Sequence, residues 1–561
     1  LNWDELEFWR ATSWIAQGRL PYRDFWEHHT PLMWFLFAPV TWLTDSPGVN
    51  AVIALRWAQI PVWIATFWLT NLWMRGAGIE TFARWAAMSV ALCSSLLMIP
   101  AVEYRVDSLG CLLVMCGLVL AQRERFFLSG AVFCLAAFAN LRLGPVLVVA
   151  VLLILATTKL RAWPIAVGGF TSLAACLAFF AATGSLDELI QQVWTDNLAE
   201  RYATPVIGGF MHRLLVPFGI RIMATDRLFE WAAVDVGGVV LLLIGFAGML
   251  LALRVRGSLL QLAIVQLANV LFISSMKFIY NYHFALIAIL MIPFIAAVLE
   301  RVRRREVVMA VLVVAWSVNA FASIFRGKEL DRAYQDLIMR EVHARTDEGA
   351  RVWSGVTWAL HREPAYRFWF LPELARQLVR EKLAPPMALD VRPDAIVFDF
   401  NALMWVGTVQ RELAPYFIRH YVPVWRELWV PALNARIPPG RSFAWRAPHR
   451  ANYRVFVSAP LARHPWFRNP LALMTYKKPD ASRFTIELPR PGVGPLQFNS
   501  PVVDGVLPLE ANQRIVATNT SDSEVAVFLM TTDDRVLFRQ PEGGATLEGE
   551  TTRVTHLPRL W

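Results

Sequence analysis

The chain has 561 residues, 56% of them hydrophobic and 17% charged, with a mean hydropathy of +0.42. Those values exclude an ordinary water-soluble protein, and the apolar residues are concentrated before about Phe325. The net charge of +10 does not mark a nucleic-acid binder, because many cations sit at the ends of hydrophobic stretches, where they orient a membrane protein. The five cysteines, Cys93, Cys111, Cys116, Cys134 and Cys176, lie in apolar stretches and read as small core hydrophobes. They show no Cys–His spacing for structural zinc.

In chain order, Phe8, Ala11, Thr12 and Ile15 recur at helical spacing over 4–17, and 31–43 is apolar and Trp-rich. Both predict helices lying in a membrane interface. Hydrophobic spans follow at 51–74, 81–101, 107–122, 126–141, 143–158, 162–182, 233–253, 258–276, 280–298 and 306–324. The stretch 126–158 would be ~50 Å as one helix, too long for a single crossing. Asn140-Leu141-Arg142-Leu143-Gly144-Pro145 divides it into a hairpin of two short helices.

Basic residues test this register. Arg75 and Arg84, Arg123 and Arg125, Lys159 and Arg161, Arg254 and Arg256, and the Arg301–Arg305 run all fall in loops that ten spans place on one side, the cytoplasmic one. The opposite face receives 1–50, 102–106, the 140–145 turn, 183–232, 277–280 and everything after about 326. This arrangement predicts one further transmembrane helix before Leu1.

The remainder reads as soluble and extracytoplasmic. Ala350–Gly355 and Pro393–Asp399 are short buried strands alternating with helices at 329–346 and 370–384, which predicts an α/β domain. From about Asn452, segments 452–459, 484–489, 513–518, 525–531 and 535–539 predict a small β-sandwich. Four regions result: 1–50, 51–325, 326–448 and 449–561. Trp353, Trp358, Trp369 and Trp405 read as core packing rather than sugar-stacking surfaces.

Candidate chemistry gathers on the outer face. Asp4 and Glu5 open the first helix, where Asp4 suits an N-cap with Glu7 reaching back; a carboxylate there can also take a proton from a hydroxyl. Glu27, His28 and His29 form a polar turn whose donors also suit a divalent metal. Glu103, Arg105 and Asp107 join two spans. Arg142, at the hairpin turn, offers a planar fork of donors to a phosphate. Lys277, Tyr280, Tyr282 and His283 open a later span from the same side, and Lys277 and His283 extend an anion pocket. Sugar transfer from a lipid phosphate needs these parts: a base, cations for the departing phosphate, and a bilayer for the tail.

The same residues resemble the C-type glycosyltransferases (GT-C), especially the protein O-mannosyltransferase and aminoarabinose transferase group. The resemblance rests on the Asp4-Glu5 pair, Pro21-Tyr22-Arg23-Asp24-Phe25-Trp26-Glu27-His28-His29-Thr30-Pro31-Leu32, Arg105-Val106-Asp107, and the turn at Arg142 with the aromatic-His start of the span at 280. It covers roughly 1–325, and 327–448 is similar to the family's extracytoplasmic appendage. The chain departs from the family in having His29-Thr30-Pro31 for Lys-Pro-Pro, Arg-Val-Asp for Arg-Pro-Asp, and Arg142 for Lys. The resemblance implies a polytopic α-helical membrane enzyme of the bacterial inner membrane. It would use a polyprenyl-phosphate sugar, a protein, lipid or polysaccharide acceptor, inversion at the anomeric carbon, and Asp4 as base. Residues 449–561 have no counterpart and are expected to bind an acceptor glycan or a protein partner. The alternative is a non-catalytic membrane subunit on the same scaffold. A transporter is disfavoured, since no paired broken helices are related by a repeat.

Overall fold

The computed structural model describes residues 3–44, 48–197, 220–221, 230–231, 236–254, 257–276, 281–326, 332–344, 346–388, 391–425, 428–446, 451–458, 484–487, 496–497, 502–510, 513–522 and 525–531. It divides into two compact units, Leu1–Gln335 and Asp336–Trp561.

The first unit is helical. Helices α1 (Trp3–Ala16) and α2 (Leu32–Thr41) fall where the first two helices were expected, and α1 is buried from Glu5 through Trp14. All ten expected spans are helical. They are α3 (Asn50–Gly76), α4 (Thr81–Leu92) continued by α5 (Ser95–Val102), α6 (Val106–Gln122), α7 (Phe126–Ala139), α8 (Gly144–Thr157) and α9 (Pro164–Ala182). After the short α10 (Leu186–Leu189) come α11 (Val236–Ala252), α12 (Ser258–Ser275), α13 (Ala285–Leu299) and α14 (Arg305–Arg326).

Length and apolar composition single out only some of these helices as full crossings. Among the described residues, four segments are long and apolar enough to cross a membrane: Asn50–Gly76, Pro164–Ala182, Ser258–Ser275 and Tyr282–Leu299. A fifth exists if Thr81–Leu92 and Leu96–Val102 count as one span, bent by 74°. The 14-residue α7 and α8 each reach only ~21 Å, short of a ~30 Å hydrocarbon core.

Local chemistry explains the breaks. Ser94 caps α5, its side chain accepting from Leu96 N. Asn140 ends α7, and the Gly144-Pro145 pair starts α8 with proline in its first turn. Where α7 meets α9, a Cβ on Gly130 or Gly168 would strike the carbonyl oxygens of Ile165 and Phe127, so only glycine permits this backbone approach. Helix α13 is the centre of the bundle, buried at nearly every position, whereas α9 presents Phe170 and Phe179 outward. Trp57, Ile64, Trp68, Leu243 and Val313 are likewise exposed, which suits a lipid surface rather than water.

Also within the first unit, β1 (Ile220–Arg221) and β2 (Glu230–Trp231) pair antiparallel. The second unit holds α15 (Arg332–Ala344, its first turn lying at the boundary), α16 (Glu373–Arg380), α17 (Phe400–Thr408) and α18 (Leu413–His420). Its strands are β3 (Arg351–Ser354), β4 (Glu363–Pro364), β5 (Ala395–Val397), β6 (Tyr421–Trp425), β7 (Leu428–Ile437), β8 (Ser442–Arg446), β9 (Ala451–Ser458), β10 (Phe484–Glu487), β11 (Leu496–Gln497), β12 (Val502–Leu509), β13 (Arg514–Asn519) and β14 (Val525–Thr531). One sheet runs β12-β9-β14-β7-β5-β3-β4, with β6 also on β7; a four-stranded sheet runs β11-β10-β13-β8.

The parallel β3–β5 pair is the expected α/β layer, and β7 joins it antiparallel to the β-rich part. Hydrogen bonding therefore continues across the expected boundary at 448/449. Trp353, Trp358, Trp369 and Trp405 are buried in the core. The expected strand 535–539 lies outside the described residues.

Candidate functional site

Helix α1 starts at Trp3, so Asp4 and Glu5 sit in its first turn rather than Asp4 at the cap. Successive helical residues point ~100° apart, and these two carboxylates go to different partners. Asp4 Oδ2 accepts from Arg105 Nη2 at 2.9 Å. Glu5 is wholly buried: Arg56 grips it through Nε at 2.7 Å and Nη2 at 2.6 Å, and Tyr104 N donates to Oε1 at 2.9 Å. A bidentate pair of this kind is a staple, and with Tyr104 N it fastens Glu5 of α1 to α3 and to the 103–105 segment.

Arg105 is 1% exposed and lies at the centre. Besides Asp4, it stands 3.3 Å from Glu103 Oε2 and 3.5 Å from Asp107 Oδ2, and its guanidinium lies 3.4 Å from the centre of the Tyr282 ring. The extended 103–105 segment is fixed by Gln59, whose Oε1 accepts from Arg105 N at 3.0 Å and whose Nε2 donates to Glu103 O at 2.8 Å. Asp107 Oδ1 accepts from Asn140 Nδ2 at 2.9 Å, and Asn140 Oδ1 accepts from Arg142 N at 3.1 Å, capping the turn that presents Arg142.

Arg142 Nη1 donates to His283 Nε2, which requires that ring nitrogen to be unprotonated. Among the described residues, Arg142 Nε and Nη2 carry no protein hydrogen bond. The structure thus brings together Asp4, Glu103, Arg105, Asp107, Arg142, Tyr282 and His283. Lys277 and Tyr280 lie outside the described residues.

Glu27, His28 and His29 gather one helical turn further along α1, around Glu7. His29 Nδ1 is 2.9 Å from Glu27 Oε1 and 3.5 Å from Glu7 Oε1; His28 Nδ1 is 3.5 Å and 3.7 Å from the same atoms. The 21–31 loop is held by Tyr22 Oη donating to His29 O at 2.6 Å, by Gln192 Oε1 accepting from Glu27 N at 2.9 Å, and by Asn197 Nδ2 donating to His28 O at 2.6 Å. Burial, then the nearby Glu27 and Asp4, push the Glu7 carboxyl well above the ordinary carboxylate range. Burial pushes Glu27 up to about 7, against the pull of His28 and of the His28 and His29 N–H groups. Phe8 touches both groups: its ring is 5.8 Å from the Arg105 guanidinium and edge-on to His29 at 5.1 Å.

Arg56, Gln59, Gln192 and Asn197 are the partners that sequence reasoning missed. Gln59 carried a signal, since an amide inside an apolar span needs a partner. Glu7 was read only as a helix cap. A recess lined by Val90, Cys93, Ile244, Leu299, Val308 and Leu312 is apolar and offers no acid–base group. No family model matches the chain, and no curated protein matches its sequence.

The arrangement has two chemical capacities. A carboxylate held by a buried arginine can accept a proton from a positioned hydroxyl. A half-buried arginine with two donor groups unused among the described residues, at a turn fixed by Asn140, can hold an anion.

Proposed function

We propose that the chain is a membrane-embedded glycosyltransferase of the C type, moving a sugar from a polyprenyl-phosphate donor to an acceptor on the extracytoplasmic face. Asp4 takes the proton of the acceptor hydroxyl as that oxygen attacks the anomeric carbon. The bond from that carbon to the phosphate oxygen breaks, and Arg142 stabilises the departing polyprenyl phosphate. Attack opposite the leaving group inverts the anomeric centre. Arg105 orients Asp4, Glu5 pins α1 through Arg56, and Tyr282 and His283 position the two arginines.

The observation that supports this reading best is the continuous chain Asp4–Arg105–Asp107–Asn140–Arg142–His283. Through it Asp4 and Arg142 share one polar network beside strongly apolar helices. The test is transfer of radiolabelled sugar from a panel of polyprenyl-phosphate donors by purified wild type and Asp4→Asn. Wild type is expected to transfer label, and the variant to lose ~10²–10⁴-fold while remaining folded. Arg142→Ala is expected to weaken donor binding. Undiminished turnover by Asp4→Asn sinks the mechanism. No transfer by folded wild type, together with a co-purifying partner, favours the non-catalytic subunit.

A further inference from the structure

The Glu7, Glu27, His28 and His29 group is not needed by that transfer scheme. Each residue offers a ligand atom, and the four lie within 4.8 Å of one another. Two carboxylates and two imidazoles are the mixed oxygen and nitrogen set that borderline cations prefer; magnesium and calcium favour oxygen alone. A tetrahedral Zn²⁺ with bonds of ~2.0–2.2 Å sets its donors ~3.3–3.5 Å apart. The four His–Glu separations here, 2.9, 3.5, 3.5 and 3.7 Å, straddle that edge length.

A second observation is independent of the clustering. Glu7 Oε1 and Glu27 Oε2 are buried and accept no hydrogen bond, although Glu7 is 1% exposed and Glu27 wholly buried. Glu7 Oε1 points at both imidazole Nδ1 atoms. A buried carboxylate oxygen left without a donor is costly, and two facing carboxylates add repulsion. A dication between them, with two neutral imidazoles, would make the charge sum to zero. Glu27 Oε1 already accepts from His28 N at 2.8 Å and His29 N at 3.0 Å, the kind of supporting hydrogen bonds that orient a ligating carboxylate.

We infer that Glu7, Glu27, His28 and His29 form a binding site for one divalent first-row cation, Zn²⁺ in preference to Mg²⁺ or Ca²⁺, tying the 21–31 loop to α1. The cation positions Asp4 through the single helical turn between it and Glu7. The site stands on its own geometry and does not depend on the transferase reading.

The experiment uses the full chain in detergent, with any affinity tag removed, stripped by chelator and dialysed against buffered Zn²⁺. Metal per chain is then measured by mass spectrometry. Wild type is expected to retain one Zn²⁺, and Glu7→Gln and His29→Ala to bind at least ~10-fold more weakly. Wild type that retains no Zn²⁺, that retains Mg²⁺ equally well, or that is matched by both folded variants would overturn the site. Co²⁺ loading of wild type needs no variant and covers the case where a variant fails to fold. Intense visible bands of four-coordinate Co²⁺ support the assignment, whereas the weak spectrum of six-coordinate Co²⁺ refutes it.

Discussion

Asp399 in the second unit and Glu7 in the first are both carboxylates set among packed side chains, yet their surroundings are opposite. Asp399 Oδ2 accepts from Gly355 N at 2.9 Å, Val356 N at 2.8 Å and Trp358 Nε1 at 3.1 Å, and Oδ1 accepts from Ala402 N at 2.9 Å. It caps α17 and fastens the loop after β3 in one stroke. Glu7 instead faces a second carboxylate, and its Oε1 accepts nothing. A carboxylate saturated with donors is part of the fold; one that the fold keeps short of donors is held for a ligand. Glu5, two residues before Glu7 and fully gripped by Arg56, repeats the contrast within one helix.

Substitutions can break this distinction. The largest effect should come from Arg56→Ala, which leaves Glu5 buried without its cation and is expected to cost about 3–5 kcal/mol. Thermal unfolding in detergent measures it, and an unchanged midpoint would remove Glu5 from the saturated class. Asp399→Asn turns an amide NH₂ toward backbone N–H donors and should cost about 2–3 kcal/mol. Limited proteolysis of the second unit reports this loss, and donor affinity should stay the same.

Asn140→Ala is intermediate, because it frees both Asp107 and the Arg142 turn. We expect about 1 kcal/mol of lost stability and a raised KM for the lipid donor, and a KM equal to wild type would dissociate the turn from donor binding. The smallest effect is expected for Glu7→Gln in metal-free protein. Replacing one of two facing carboxyl groups with a neutral amide of the same shape should leave stability within about 1 kcal/mol of wild type, unchanged or higher. A clear loss in chelator would place Glu7 with the saturated carboxylates.

Much of the helical layout was legible because burial in lipid or in a bundle imposes long apolar runs with polar punctuation. The hairpin at 140–145, the short strand at Ala395–Val397 and the strand at Val525–Thr531 fell where local pattern placed them. Span length was less legible, since an apolar run states where a helix lies but not where Asn140 or Ser94 will interrupt its hydrogen bonding. The site was half legible. Asp4, Arg105, Asp107, Arg142 and His283 stood out as polar groups beside apolar spans. Their wiring did not, because Gln59, Arg56 and Gln192 reach them from elements distant in sequence. Nothing local distinguishes Glu5 from Glu7; only the arginine delivered by α3 does.

The link between Arg142 and His283 spans 141 positions, and that between Asp4 and Arg105 spans 101. Contacts of such separation close late, after the intervening chain has been ordered. Of the two, the Asp4–Arg105 link closes across the shorter stretch, and Arg105 also contacts the Tyr282 ring, which belongs to the segment leading into α13. The charged centre is therefore finished only as the central helix enters the bundle. A nascent chain cut short before that helix would hold Asp4 and both arginines while lacking the ring and imidazole that contact them, so the polar centre and the bundle are completed together.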